Sequence, residues 1–85
     1  MFMSEHEIVD HMFLYVLTED AKQSFRKIQE ESHLIRLHST LGRWIRNRYL
    51  LWDENNPYVS QDPQSPNHPD QLSNRVITAI WVRMK

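Results

Sequence analysis

All four prolines of the chain, Pro57, Pro63, Pro66 and Pro69, fall between residues 57 and 69. Proline fixes φ and lacks the amide hydrogen that a helix interior needs, so no helix runs through this stretch. Just before it, Asp53-Glu54-Asn55-Asn56 ends the apolar periodicity at Trp52. The chain therefore divides into an N-terminal part, a long polar loop over about residues 53–68, and a final helix for which Pro69 is well placed in the first turn.

On both sides of the loop the spacing is helical. Ser4 with Glu7 three residues on forms a capping box, and Ile8, Val9, Met12, Phe13 and Val16 make an apolar stripe that should end near Leu17. Thr18 offers a second N-cap, with Glu19 and Asp20 at the positive end of the dipole and Phe25 and Ile28 at i, i+3. Ser32 is the expected cap of a third helix carrying Leu34, Leu37, Leu41, Trp44 or Ile45, and Arg48. Its Gly42, the only glycine, costs about 0.5–1 kcal/mol relative to alanine there, which points to close packing. After Pro69, Asp70 suits the helix start and Leu72, Val76, Ile77, Ile80, Trp81 and Met84 supply a buried side. The expected fold is all-α: a compact domain of three or four helices over residues 1–85 with one Pro-rich loop.

A chain of 85 residues buries only about 60–65% of its unfolded surface, and its stability should be on the order of 4–13 kcal/mol. Losing one core tryptophan could unfold it. Cysteine is absent, which removes disulfides and thiolate metal sites and suits a reducing compartment. Met1-Phe2-Met3-Ser4 leads into acidic residues with neither a basic nor an apolar leader region, and no apolar run approaches membrane-spanning length. The expectation is a cytoplasmic protein with no membrane association.

The net charge of −1 conceals segregation. Residues 1–31 hold seven acids against three cations, whereas residues 32–52 hold Arg36, Arg43, Arg46 and Arg48 and no acid. Residues 53–72 are again acidic, through Asp53, Glu54, Asp62 and Asp70. The simpler account is complementary packing between neighbouring helices; the sharper one is a basic recognition face.

The pattern His38-x-x-Leu41-Gly42-x-x-Ile45-Arg46-Asn47, then Leu51-Trp52, then His68-Pro69-Asp70-x-x-Ser73 before an apolar helix, resembles a family of small uncharacterised proteins from bacteria and their phages. The resemblance covers roughly residues 32–83 and implies an α-helical domain with no established activity. Tyr49-Leu50 stands where that pattern carries a bulky aromatic residue and a glycine. Residues 1–31 carry no motif of it.

The candidate binding residues are His38, Arg43, Arg46, Asn47, Arg48, His68, Asp70 and Ser73. If the last helix sets its N-terminus against the third, His38, Arg46, His68 and Asp70 form a cluster able to hold a small ligand or anion. Alternatively, Arg46 pairs with Asp70 while His68 or Asn47 caps a helix end, and the cluster is a staple. Arg43, Arg46 and Arg48 with Trp44 and Tyr49 interleave cations and rings as nucleic-acid binding requires, although the overall charge is slightly acidic and Trp44 or Trp52 is expected in the core. His6 and His11, like His33 and His38, are spaced i, i+5, which turns them about 140° apart and speaks against metal. No cofactor fingerprint or nucleophile motif is present, and nothing requires an enzyme. The reading that best fits size, charge segregation and loop residues such as Tyr58 and Val59 is a small domain that binds a protein partner as an inhibitor or adaptor. A homodimer would also complete so small a core.

Overall fold

The computed structural model describes residues 2–84. Among them are four α-helices and no strand: α1 (Glu5–His11), α2 (Glu19–Arg26), α3 (Ile35–Arg48) and α4 (Pro69–Arg83). The fold is the expected all-α domain. No helix among these residues is long and apolar enough to cross a membrane.

The helix starts follow local chemistry. At Ser4 the Oγ accepts from the Glu7 amide while the Glu7 carboxylate accepts from the Ser4 amide at 2.9 Å, closing the capping box. The Ser4 amide, and after it the Ser4 hydroxyl, favours the ionised form and holds the Glu7 carboxyl below its ordinary value. Thr18 Oγ1 accepts from the Ala21 amide at 3.1 Å and starts α2. The α1 helix widens into a π-helical turn over Met12–Val16, closed by a bond from the Leu17 amide to the Met12 carbonyl at 2.8 Å. Ile8, Val9 and Met12 stay buried, while Leu14 and Tyr15 emerge into solvent.

The third helix does not start at Ser32. That residue lies within a 3₁₀ turn, Glu31–Leu34, and α3 begins only at Ile35 without a side-chain cap. The tighter turn brings Leu34 into the core, and this packing displaces the cap preference of Ser32. At its other end, α3 closes with a bond from the Leu51 amide back to the Arg46 carbonyl at 2.9 Å, and Leu50 takes a positive φ of 59°. This is a Schellman arrangement in which Leu51, fully buried, packs into the core beyond Ile45. A left-handed leucine costs roughly 1–2 kcal/mol. Leu50→Gly should therefore raise the melting temperature by a few degrees despite the extra freedom it gives the unfolded chain. Leu50→Ala, which keeps the penalty, should not; equal melting curves for the two variants would exclude strain at this turn.

The core is built on α4. Leu72, Val76, Ile77, Ile80 and Trp81 are buried and meet Ile8, Val9 and Met12 of the first segment and Leu34, Ile45, Tyr49 and Leu51 of the third. Each such side chain contributes about 1.5–3 kcal/mol by leaving water. Of the two alternatives at the end of the α3 stripe, Ile45 is the buried residue, and neither Trp44 nor Trp52 is in the core. The core tryptophan is Trp81, whose indole N–H donates to the Ile28 carbonyl at 2.8 Å and anchors the chain after α2. Along α3, Gly42 faces Ser73 and Ile77 of α4 while Arg46, one turn later, meets Ser73 and Asp70 nearer the start of α4, so the two helices run antiparallel.

The loop is well tied. Asn56 is buried, donating from Nδ2 to the Leu50 carbonyl at 3.1 Å and accepting at Oδ1 from the Tyr58 amide at 2.9 Å. The Ser60 amide donates to the Asn67 carbonyl at 3.0 Å, and Val59 packs against the core while Tyr58 stays exposed. Backbone and short polar side chains thus replace the hydrogen bonds that a prolonged helix would have made.

Candidate functional site

The join between α3 and α4 gathers Arg46, His68, Asp70 and Ser73. His68 is the N-cap of α4: its Nδ1 accepts from the Asp70 amide at 3.2 Å. A nitrogen that accepts there carries no proton, so its 3.7 Å approach to Asp70 Oδ2 is not an ion pair in this arrangement. The His68 ring also stands edge-on to Trp52, centroids 5.5 Å apart. Arg46 donates from one guanidinium nitrogen to Ser73 Oγ at 2.9 Å and lies with Nε 3.6 Å from Asp70 Oδ1. Ser73, fully buried, in turn donates to the Asp70 carbonyl at 3.1 Å.

These contacts give Arg46 internal partners, which is the staple arrangement. Its stronger partner is the buried Ser73 hydroxyl rather than the half-exposed Asp70 carboxylate, because exposed ion pairs are worth only about 0–1 kcal/mol. Arg46→Ala should lower stability by about 1–3 kcal/mol. In double-mutant cycles read by denaturant unfolding, Arg46 should couple more strongly to Ser73 than to Asp70; the reverse ranking would make Asp70 its principal partner.

The other expected site residues lie elsewhere. His38 is two turns, roughly 12 Å of helix rise, from Arg46. It faces a separate open groove of about 460 Å³ shared with Glu5, Glu31, Arg75 and Thr78, with its Nε2 enclosed and making no hydrogen bond among the described residues. The four-residue cluster of His38, Arg46, His68 and Asp70 is thus not a single pocket. Asn47 is exposed and caps no helix; His68 does that work. Arg43 and Arg48 are exposed on the outward side of α3, Arg48 lying over the Tyr49 ring with 5.4 Å to the centroid.

Two features escaped the sequence reading. Arg75 of α4 holds three segments at once, donating to Glu5 of α1 at 2.8–2.9 Å, to Asn67 Oδ1 at 3.0 Å and to the Pro66 carbonyl. Arg83 pairs with Asp10 at 2.6 Å, which holds the Asp10 carboxyl below its ordinary value, and lies with Lys22 over the Phe13 ring. Glu5 and Asp10 of α1 are therefore answered by α4 rather than by α3. No signal within a turn or two of Arg75 or Arg83 points to these α1 partners, which stand 70 and 73 residues away in the chain.

The second is a chain of rings. The Tyr49 hydroxyl and His11 Nδ1 share a hydrogen bond of 2.8 Å, with their rings edge-on at 5.7 Å. His11 meets Tyr15 at 5.5 Å, and Tyr49 meets Trp44 at 6.1 Å. Tyr49 is buried, and burial raises its phenol pKa against the smaller opposing pull of the Arg48 charge. The two ends of the array are open, Tyr15 at 78% and Trp44 at 41% exposure. Sequence spacing alone could not join residues 11 and 15 to residues 44 and 49.

Among the described residues no three His, Asp or Glu side chains are gathered as a metal-holding group. No curated protein and no solved structure matches the chain. A family model does match, over residues 11–84, reaching from His11 of the ring array through α4 and so including most of the N-terminal segment that carries no recognisable motif. The chain belongs to that family, a domain of unknown function designated DUF6794.

Proposed function

We propose that the chain is a protein-binding domain, acting in the cytoplasm as an inhibitor or adaptor on a protein partner. The observation that carries this reading is the Tyr15-His11-Tyr49-Trp44 array, joined by ring contacts and seated in the fold at the buried Tyr49 yet open at both ends. Tyrosine and tryptophan concentrate at protein interfaces because they contribute large contact areas with little conformational entropy to lose, and a ring already held by a neighbour has less still. The resemblance to small bacterial and phage proteins accords with a domain that works on host or cellular machinery.

The ligand-site alternative is weaker because Arg46, its anion-binding residue, already has Ser73 and Asp70 as partners. Nucleic-acid binding loses Arg46 for the same reason and Tyr49 to burial, leaving Arg43, Arg48 and Trp44 on a chain of net charge −1.

The test compares the wild type with Tyr15→Ser/Trp44→Ser for capture of partners from the source cell, after melting curves establish that the variant is folded. A specific protein retained by the wild type and lost by the variant is the expected result. Unchanged capture by the variant, or submicromolar salt-sensitive binding of random single-stranded RNA or DNA, would overturn it.

A further inference from the structure

The charge segregation of the chain is only half consumed by folding. Glu5 is paired with Arg75 and Asp10 with Arg83, both on α4, and Arg46 with Asp70. The remaining arginines of α3, Arg36, Arg43 and Arg48, form no ion pair among the described residues. Arg36 and Arg43 are seven residues apart and so share one stripe of the helix, and Arg48 follows Trp44 by one turn. The chain has eleven acids, yet none lies between residues 32 and 52 to answer these cations at i, i+3 or i, i+4. An ordinary solvated helix face mixes both signs. This one carries arginine alone, whose planar, weakly hydrated fork suits carboxylates, next to an open tryptophan.

We propose that the outward face of α3, with Arg36, Arg43 and Arg48 flanking Trp44, docks an acidic segment of the partner protein that carries an apolar anchor. The inference rests on the protein-binding reading and adds the chemistry of the partner. The arginines, which form no ion pair among the described residues, supply the complementary charge that steers and orients the segment, and Trp44, held edge-on by the buried Tyr49 ring, receives its apolar side chain. An acidic peptide is favoured over a phosphate backbone because exposed Glu19 and Asp20 at the start of α2 would repel a long polyanion while leaving a short segment on α3 unaffected.

The test uses the full chain and three probes followed by fluorescence anisotropy: a synthetic Asp/Glu peptide with Leu and Trp anchors, its Asn/Gln counterpart with the same anchors, and oligothymidylate. The acidic peptide is expected to bind at least about tenfold more tightly than the neutral one, a preference that shrinks with added salt and disappears in Arg36→Gln/Arg43→Gln/Arg48→Gln while melting curves hold. Equal binding of the two peptides, lost in Trp44→Ser, would overturn the acidic partner and leave the protein-binding reading in place. Tighter binding of oligothymidylate than of the acidic peptide would overturn both. Absence of binding by the acidic peptide at low salt would overturn the inference, and the capture experiment then decides the broader reading on its own.

Discussion

Trp81→Ala should lower the melting temperature of the chain by well over ten degrees. Removing a buried tryptophan costs about 3–5 kcal/mol, against a total stability on the order of 4–13 kcal/mol for a chain of this length. The indole is 6% exposed, and its loss would also strip the Ile28 carbonyl of its donor, freeing the segment after α2 from α4. Trp81→Phe separates the two contributions, since it retains most of the apolar volume and should lose about 1–2 kcal/mol. Circular dichroism melting of the two variants reads the difference. A cooperative transition for Trp81→Ala within a few degrees of the wild type would show that α2 is held by other contacts.

Gly42 governs the second large effect. A Cβ there would stand 3.0 Å from the Arg46 guanidinium, 3.7 Å from Ser73 Oγ and 3.8 Å from the Ile77 methyl. For Gly42→Ala the helix-propensity gain of about 1 kcal/mol is offset by displacing the tip of Arg46 from Ser73, so stability should change by less than about 1 kcal/mol. Gly42→Leu has no such room and should force α3 away from α4, at a loss of about 3 kcal/mol. Denaturant titration of both variants checks this. A Gly42→Leu protein as stable as the wild type would mean that the helices separate there without loss.

Much of this architecture is written in short-range signals. The capping box at Ser4, the Thr18 cap, the proline start of α4 and the apolar stripe from Leu72 to Trp81 all depend on residues within a turn or two of each other, and all are where the spacing puts them. Arg46, Asp70 and Ser73 were also legible together, because two helices joined by a tied loop bring their facing ends into contact. What could not be read was set by tertiary neighbours. Arg75 and Arg83 look like ordinary surface cations until α1 is laid along α4, and His38 looks like a companion of Arg46 until the helix places it two turns away. The exposure of Trp44 has the same origin: Ile45, one residue on, takes the core position. The π-helical turn at Met12–Val16 carries no sequence signature.

The bond between the Ser60 amide and the Asn67 carbonyl closes the loop upon itself, and the Arg75 clamp lies on its far side at Pro66 and Asn67. Residues 61–64 are therefore a surface tip whose ends are already fixed, with every side chain exposed. Added chain there lengthens a closed loop, for which each doubling in length costs only about 0.6 kcal/mol. A reporter peptide or affinity handle spliced at this tip would leave the helices, the caps and the α3 face untouched, which makes it a practical point of attachment for immobilising the protein in binding measurements.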